Sequence, residues 1–269
     1  MRLLIKHVTH YTYEAPVQYS IQRLRLTPQT YAAQKIETWK LTAPGIASAM
    51  LYHDAFGNLV HLIDAANVAG PFDIVAEGIV DVVDAAGVVE RLAVPVQDAV
   101  CLRQTDATRP SQPMLDLLKG VAPPQGRTLP FVHDLMAAIH SAVAYETGTT
   151  QAETTAAQAF PQGRGVCQDH AHVFIGLGRA SGLPSRYVTG YLMAGDETLS
   201  PAAHAWAEVL VPDLGWVGFD AANLKCPTEH YVRVACGLDA PATAPVRGCR
   251  RGGNAEHMSV EVRVEMAQQ

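Results

Sequence analysis

A chain of 269 residues with 48% hydrophobic content is long enough to bury a sizeable core, in one large domain or two of ordinary size. Its formal net charge of −6, without any dense lysine and arginine run interleaved with aromatics, argues against nucleic acid as a partner and against anionic membrane surfaces. No stretch approaches the roughly 18 apolar residues that cross a bilayer, and five cysteines are too few and odd in number for a disulfide framework.

The first ten residues, Met1-Arg-Leu-Leu-Ile-Lys-His-Val-Thr-His10, place charges and histidines where a secretion signal would carry an unbroken apolar segment, so the expected location is the cytoplasm. Within the same stretch Ile5, His7, Thr9, Tyr11 and Tyr13 recur at period two, which predicts a strand closed by Pro16. Further on, Met50–Tyr52 and Leu59–Ile63 flank Asp54-Ala-Phe-Gly-Asn58, where Gly57 and Asn58 suit a hairpin turn. The same reasoning over Asp84-Ala-Ala-Gly87 predicts a second hairpin, between Phe72–Val83 and Val88–Leu92. A polar, proline-containing stretch over Gln104–Pro113 marks a border. The expected division is an N-terminal antiparallel β domain over 1–105 and a second unit over 106–269.

Beyond the border, Phe131, Leu135, Met136, Ile139 and Val143 recur at helical spacing, and a second helix is predicted from Val166 to Ser181, ended by Gly182 and Pro184. Strands return at Arg186–Leu192, His204–Val211, Trp216–Asp220 and Met258–Glu265. The chemistry concentrates in this half. Gly163-Arg-Gly-Val-Cys167 delivers a thiol to a helix start, where the positive end of the helix dipole favours a nucleophilic thiolate. His204 opens a strand, a rigid mount for a base, and Asp220 ends the strand that hairpin logic places beside it. A carboxylate there can orient the imidazole and favour its protonated form.

Acyl transfer also needs donors for the oxyanion. The Cys167 backbone N–H is the natural first one, because helix-start amides lack intrahelical partners. Tyr145 is a candidate for the second, set against packing as an aromatic at a helix end. Asp169, His170 and His172 point to other faces of the Cys167 helix and read as structural or surface residues, and Trp206 and Trp216 read as packing. Cys226, Cys236 and Cys249 with His230 and His257 lack the close pairing of a zinc site, and no calcium loop is present, so no metal or other cofactor is expected.

Four ordered segments, Gly165–His172, Arg179–Tyr191, His204–Val209 and Gly215–Asp220, together resemble the bacterial transglutaminase-like superfamily. Ile5–Tyr13, Leu24–Pro28 and the Phe56-Gly-Asn58 turn resemble the β domain that precedes this core in bacterial members. The resemblance implies an α+β protein with a papain-like core, in which a cysteine-bearing helix packs on an antiparallel sheet. It also implies Cys167 as nucleophile, His204 as base and Asp220 as orienting residue, acting on amide or peptide bonds through a thioester. Asp220-Ala-Ala222 departs from the Asp-Pro-Thr common in the family. The expected partner is a peptide or protein substrate with water as acceptor; acyl transfer to an amine and a non-catalytic peptide-binding module are the alternatives.

Overall fold

The computed structural model describes residues 1–68, 70–90, 92, 96–121, 127–193, 199–200 and 203–267. The first half contributes strands β1 (Arg2–Tyr13), β2 (Val17–Leu24), β3 (Gln34–Thr42), β4 (Met50–His53), β5 (Leu59–Val68), β6 (Phe72–Val82) and β7 (Val88–Val89). Helices α1 (Gln112–Lys119) and α2 (Thr128–Ala142) follow, then the short β8 (Ala144–Tyr145), α3 (Ala156–Ala159) and β9 (Arg164–Gly165) that lead into α4 (Cys167–Ala180). The chain continues through β10 (Ser185–Leu192), β11 (Leu199–Ser200), β12 (His204–Val211), β13 (Gly215–Phe219) and β14 (Tyr231–Gly237). Helix α5 (Ala240–Thr243) and strands β15 (Val246–Gly252) and β16 (Glu256–Met266) complete it. No helix among the described residues is long and apolar enough to cross a membrane.

Strand β1 forms where its alternation predicts. Leu3, Ile5, His7, Thr9 and Tyr11 all turn inward, while the residues between them are less buried. It lies at the centre of a five-stranded antiparallel sheet ordered β11-β16-β1-β6-β3, and a four-stranded sheet ordered β15-β2-β5-β4 accompanies it. The β4–β5 hairpin is as expected: Asp54 Oδ1 accepts from the backbone N–H groups of Phe56 at 3.0 Å and Asn58 at 3.1 Å, and Gly57 takes φ +79°. The second predicted hairpin is not formed. The turn at Asp84–Gly87 is made, yet both edges of β6 are already occupied by β1 and β3, so Val88 and Val89 cross over and pair with Val217 and Trp216 of β13. Arg91, inside that predicted strand, lies outside the described residues.

Two strands of the second half return to the first. β16 pairs along nearly all of β1, from Leu3↔Met266 to Tyr13↔Glu256, and β15 pairs with β2. The core sheet, ordered β14-β10-β12-β13-β7, carries α4 across β12 and β10. Helix α4 is buried on nearly every side. It passes so close to the loop before α1 that a Cβ on Gly176 would lie 2.1 Å from the Thr108 carbonyl oxygen. It ends where Gly182 takes φ +76° and the N–H groups of Gly182 and Leu183 return to the carbonyls of Arg179 and Gly178, each at 3.0 Å.

Two amide side chains fasten the first half to the edge of the core sheet. Gln34 donates to the Arg233 carbonyl and accepts from its N–H, both at 2.8 Å. Asn58 does the same to Cys236, at 2.8 and 2.9 Å. The open edge of β14 is thereby partly paired, which removes donors and acceptors that would otherwise invite another strand.

Beneath the sheet, Glu208 bridges two buried guanidiniums, meeting Arg186 Nε at 2.6 Å and Arg233 Nε at 2.8 Å. Burial alone would raise the Glu208 carboxyl, but the two arginines outweigh it and hold the group at about 2. The folded value lies below the ordinary 4.5, so this contribution to stability is complete above pH 4.5 and fades as pH falls toward 2. Glu208→Gln leaves two interior cations with no counter-charge and should cost about 3–5 kcal/mol in urea unfolding at neutral pH. A loss under about 1 kcal/mol would mean that the arginines relax into solvent.

Candidate active site

Cys167 is the first residue of α4. The backbone of Val166 before it is extended, with φ −106° and ψ −177°, and its N–H donates to Asp169 Oδ2 at 2.8 Å. Thr150 Oγ1 donates to the same oxygen at 2.6 Å. Asp169 therefore fixes where the helix begins. Gly165 is required at the approach, since a Cβ there would sit 2.7 Å from Asp169 Oδ2. These contacts set the thiol at the rim of a cleft.

His204 opens β12 with Gly190 of β10 opposite it. Its Nε2–H donates to Asp220 Oδ2 at 2.6 Å, and its ring also lies within hydrogen-bonding contact of Cys167. Thiol, imidazole and carboxylate thus stand in line. The hairpin that joins β12 to β13, with Val211↔Gly215 at its turn and Ala207↔Phe219 at its far end, brings Asp220 beside His204.

Asp220 is buried and accepts from five donors. Oδ2 takes His204, Asn223 Nδ2 at 2.7 Å and Tyr231 Oη at 2.8 Å. Oδ1 takes the backbone N–H groups of Ala222 at 3.1 Å and Asn223 at 3.3 Å. The Asp220-Ala-Ala222 departure thus closes as a tight turn, sealed by reciprocal Asp220 and Lys225 backbone bonds. Burial would raise the Asp220 carboxyl, but His204, Asn223 and Tyr231 hold it below the ordinary value. Burial would likewise lower the His204 imidazole. The hydrogen bonds to Asp220 and Cys167, with the attendant charge, outweigh this and raise it from 6.5 to about 10.

Tyr145, the second oxyanion candidate, is 56% exposed in β8, with its ring tilted over His170 at 6.4 Å. It is close enough to Cys167 and Asp220 to add to the effect of burial in raising its phenol. His170 sets its two ring nitrogens against the carbonyls of Val166 and Val143, each at 2.9 Å, and His172 accepts from the Ala240 N–H at 3.0 Å. Trp206 is buried beside His204, while Trp216 stacks on Arg186, with the guanidinium carbon 3.9 Å from the ring centre. Among the described residues no group of histidine, cysteine and acidic side chains is placed to hold a metal ion. Asn223 and Tyr231 were not identified from the sequence. Asn223 lies three residues beyond Asp220, a spacing that could have flagged it, whereas Tyr231 reaches the carboxylate from a strand that is distant along the chain.

This geometry defines a thiol, imidazole and carboxylate site on a helix-and-sheet frame. The family model described as the transglutaminase-like superfamily matches residues 116–221, which include all three groups, and the bacterial transglutaminase-like N-terminal region matches residues 3–81. The chain thus carries a transglutaminase-like core behind a bacterial transglutaminase-like N-terminal region. It is similar to an uncharacterized protein of Mycobacterium leprae (strain TN), 26% identical over 276 residues and 98% of each chain. An uncharacterized protein of Mycobacterium bovis is also 26% identical, over 98% of this chain and 92% of the relative. The fold matches the crystal structure of a "putative cysteine protease" from Cytophaga hutchinsonii, with a TM-score of 0.75 and 22% identity over 100% of this chain and 91% of that one.

Because the folded His204 value is raised, its contribution to stability is complete below pH 6.5 and is lost as pH rises through about 10. Urea midpoints for the native chain should therefore fall between pH 6 and about pH 10 by more than those of Asp220→Asn, in which the raising partner is gone. Equal falls in the two proteins would show that Asp220 does not set the imidazole.

Proposed function

We propose that this protein is a cysteine-dependent hydrolase of amide or peptide bonds. The observation that carries this reading is the line from the Cys167 thiol at a helix start, through His204, to the saturated Asp220 carboxylate. In the proposed cycle the proton shared by Cys167 and His204 rests on the imidazole, and Sγ attacks the substrate carbonyl carbon. The oxyanion is met by the Cys167 backbone N–H, with Tyr145 as the candidate second donor. The C–N bond then breaks, His204 returns its proton to the leaving amine, and a thioester remains on Sγ. Water next loses a proton to His204 and attacks the thioester carbon. The C–S bond breaks with its electron pair on Sγ, restoring the Cys167 and His204 pair, and the carboxylic acid departs and gives its remaining proton to solvent as it becomes a carboxylate. Asp220 keeps the imidazole oriented and stabilises its charged form through both halves.

The substrate in this reading is a peptide or protein, and no cofactor takes part in the steps. The place of action is the cytoplasm, a reading supported by five cysteines that all stand as free thiols.

Three measurements test the reading. Brief exposure to iodoacetamide followed by peptide mapping should modify Cys167 ahead of the other four cysteines; even labelling across all five would contradict it. Cys167→Ala should lower hydrolysis by at least about a thousandfold while the thermal midpoint stays near that of the native chain. Turnover in ¹⁸O-water should place the label in the product carboxylate. Incorporation of a labelled primary amine in its place would convert the reading to acyl transfer.

A further inference from the structure

Beside Cys167 and His204 the two halves of the chain enclose a cleft of about 780 Å³. Sites that hold a ligand the size of a short peptide segment span roughly 300–1,000 Å³, mostly apolar with a few placed polar groups. Both halves supply the walls. Thr9, Met258 and Val260 come from β1 and β16, and Ala240, Pro241 and Pro245 come from α5 and the turn after it. The wall from the first half is held in place by the Gln34 and Asn58 amide clamps on β14.

Most polar side chains around the cleft already have partners within the protein. The two ring nitrogens of His7 meet Tyr191 Oη at 3.2 Å and Thr9 Oγ1 at 3.1 Å. Thr189 donates to Thr243 Oγ1 at 3.0 Å, and Gln168 donates to the Ala152 carbonyl at 3.0 Å. Arg247 is held on the Pro241 carbonyl at 2.9 Å. Asp106 and Glu153 stand exposed at the outer edge. Tyr187 differs from all of these. It is only 3% exposed, it lines the cleft, and its hydroxyl makes no hydrogen bond among the described residues. Burial first, then the neighbouring Cys167, Asp169 and Asp239, holds the phenol well above its ordinary value of 10. The group is therefore a hydrogen-bond donor at any working pH, and its hydroxyl reaches the cleft surface, where it is free to donate to a ligand.

The geometry points to this cleft as the seat of the acyl part of the substrate, an extended peptide segment with an apolar side chain against Met258 and Val260 and a backbone carbonyl accepting from Tyr187 Oη. This inference rests on the proposed chemistry at Cys167 and adds the substrate class to it. A carboxamide side chain alone would leave most of the apolar wall uncovered. Tyr187 is then a substrate-binding residue, and the returning strand β16 determines specificity.

The test compares 4-nitrophenyl acetate, whose two-carbon acyl group is too short to reach the far wall, with acetylated tripeptide 4-nitroanilides bearing Leu, Lys or Glu beside the scissile bond. The native chain should favour Leu over Lys and Glu by about tenfold or more in kcat/KM. Tyr187→Phe should lower kcat/KM on the Leu peptide by about tenfold, and by at least about fivefold more than it lowers acetate turnover. Met258→Glu, at a side chain already 51% exposed, should shrink the Leu-to-Lys ratio. Absence of a Leu preference, or equal effects of Tyr187→Phe on acetate and peptide, would overturn the inference. If acetate turnover survives Cys167→Ala, the hydrolase reading itself falls and this inference falls with it. If acetate turnover requires Cys167 but the peptides show no preference, only the cleft assignment is lost.

Discussion

The hydrogen bond from His204 to Asp220 is the constraint around which the second half of the chain is organised. A carboxylate as buried as Asp220 is costly to keep charged unless its lone pairs are met. Five donors meet them, and they come from β12, from the turn after β13 and from the start of β14. With the carboxylate so saturated, the imidazole gains a fixed orientation and a raised proton affinity although burial acts against both its charge and that of its partner. The site therefore depends on the register of three strands.

That register has its own support. The Arg186, Glu208 and Arg233 set ties β10, β12 and β14 from beneath, and Glu208 is two residues from Trp206, which stacks beside His204. Above, α4 is fixed at its start by Asp169 and at its end by the Gly182 turn, so Cys167 is held by the ends of a rigid element rather than by a loop. The N-terminal sheets are also bound into this frame. Their amides occupy the β14 edge, and their β1 strand, paired with the returning β16, forms the wall opposite the thiol. One packing arrangement thus covers a sheet edge and shapes the cleft.

Much of this was legible in the sequence where the determinants are local. The glycines before Cys167 and the apolar run after it announce a helix start with a thiol on it. His204–Val211 and Gly215–Asp220, joined by a short turn, announce a hairpin that sets His204 beside Asp220, as found. Period-two alternation likewise predicts β1 and β16. Pairing between distant segments was not legible, because alternation states which face a strand buries and not which strand it joins. Hence Val88 and Val89 were assigned to the wrong partner, and Met258–Glu265 gave no sign of lying along β1. Tyr231 was missed for the same reason, since its reach to Asp220 depends on the order of the strands in the sheet. Tyr187 sits in an apolar strand and carries no local signal; only the cleft beside it gives its hydroxyl a meaning.

The most direct measurement of the central claim is an NMR titration of the His204 imidazole nitrogens in ¹⁵N-histidine protein, assigned by comparison with His204→Gln. The account predicts that His204 remains an imidazolium through neutral pH and titrates near 10, with the proton on Nε2 shifted by its bond to Asp220. A titration at or below the ordinary 6.5 would contradict it, because the carboxylate would then not be governing the imidazole.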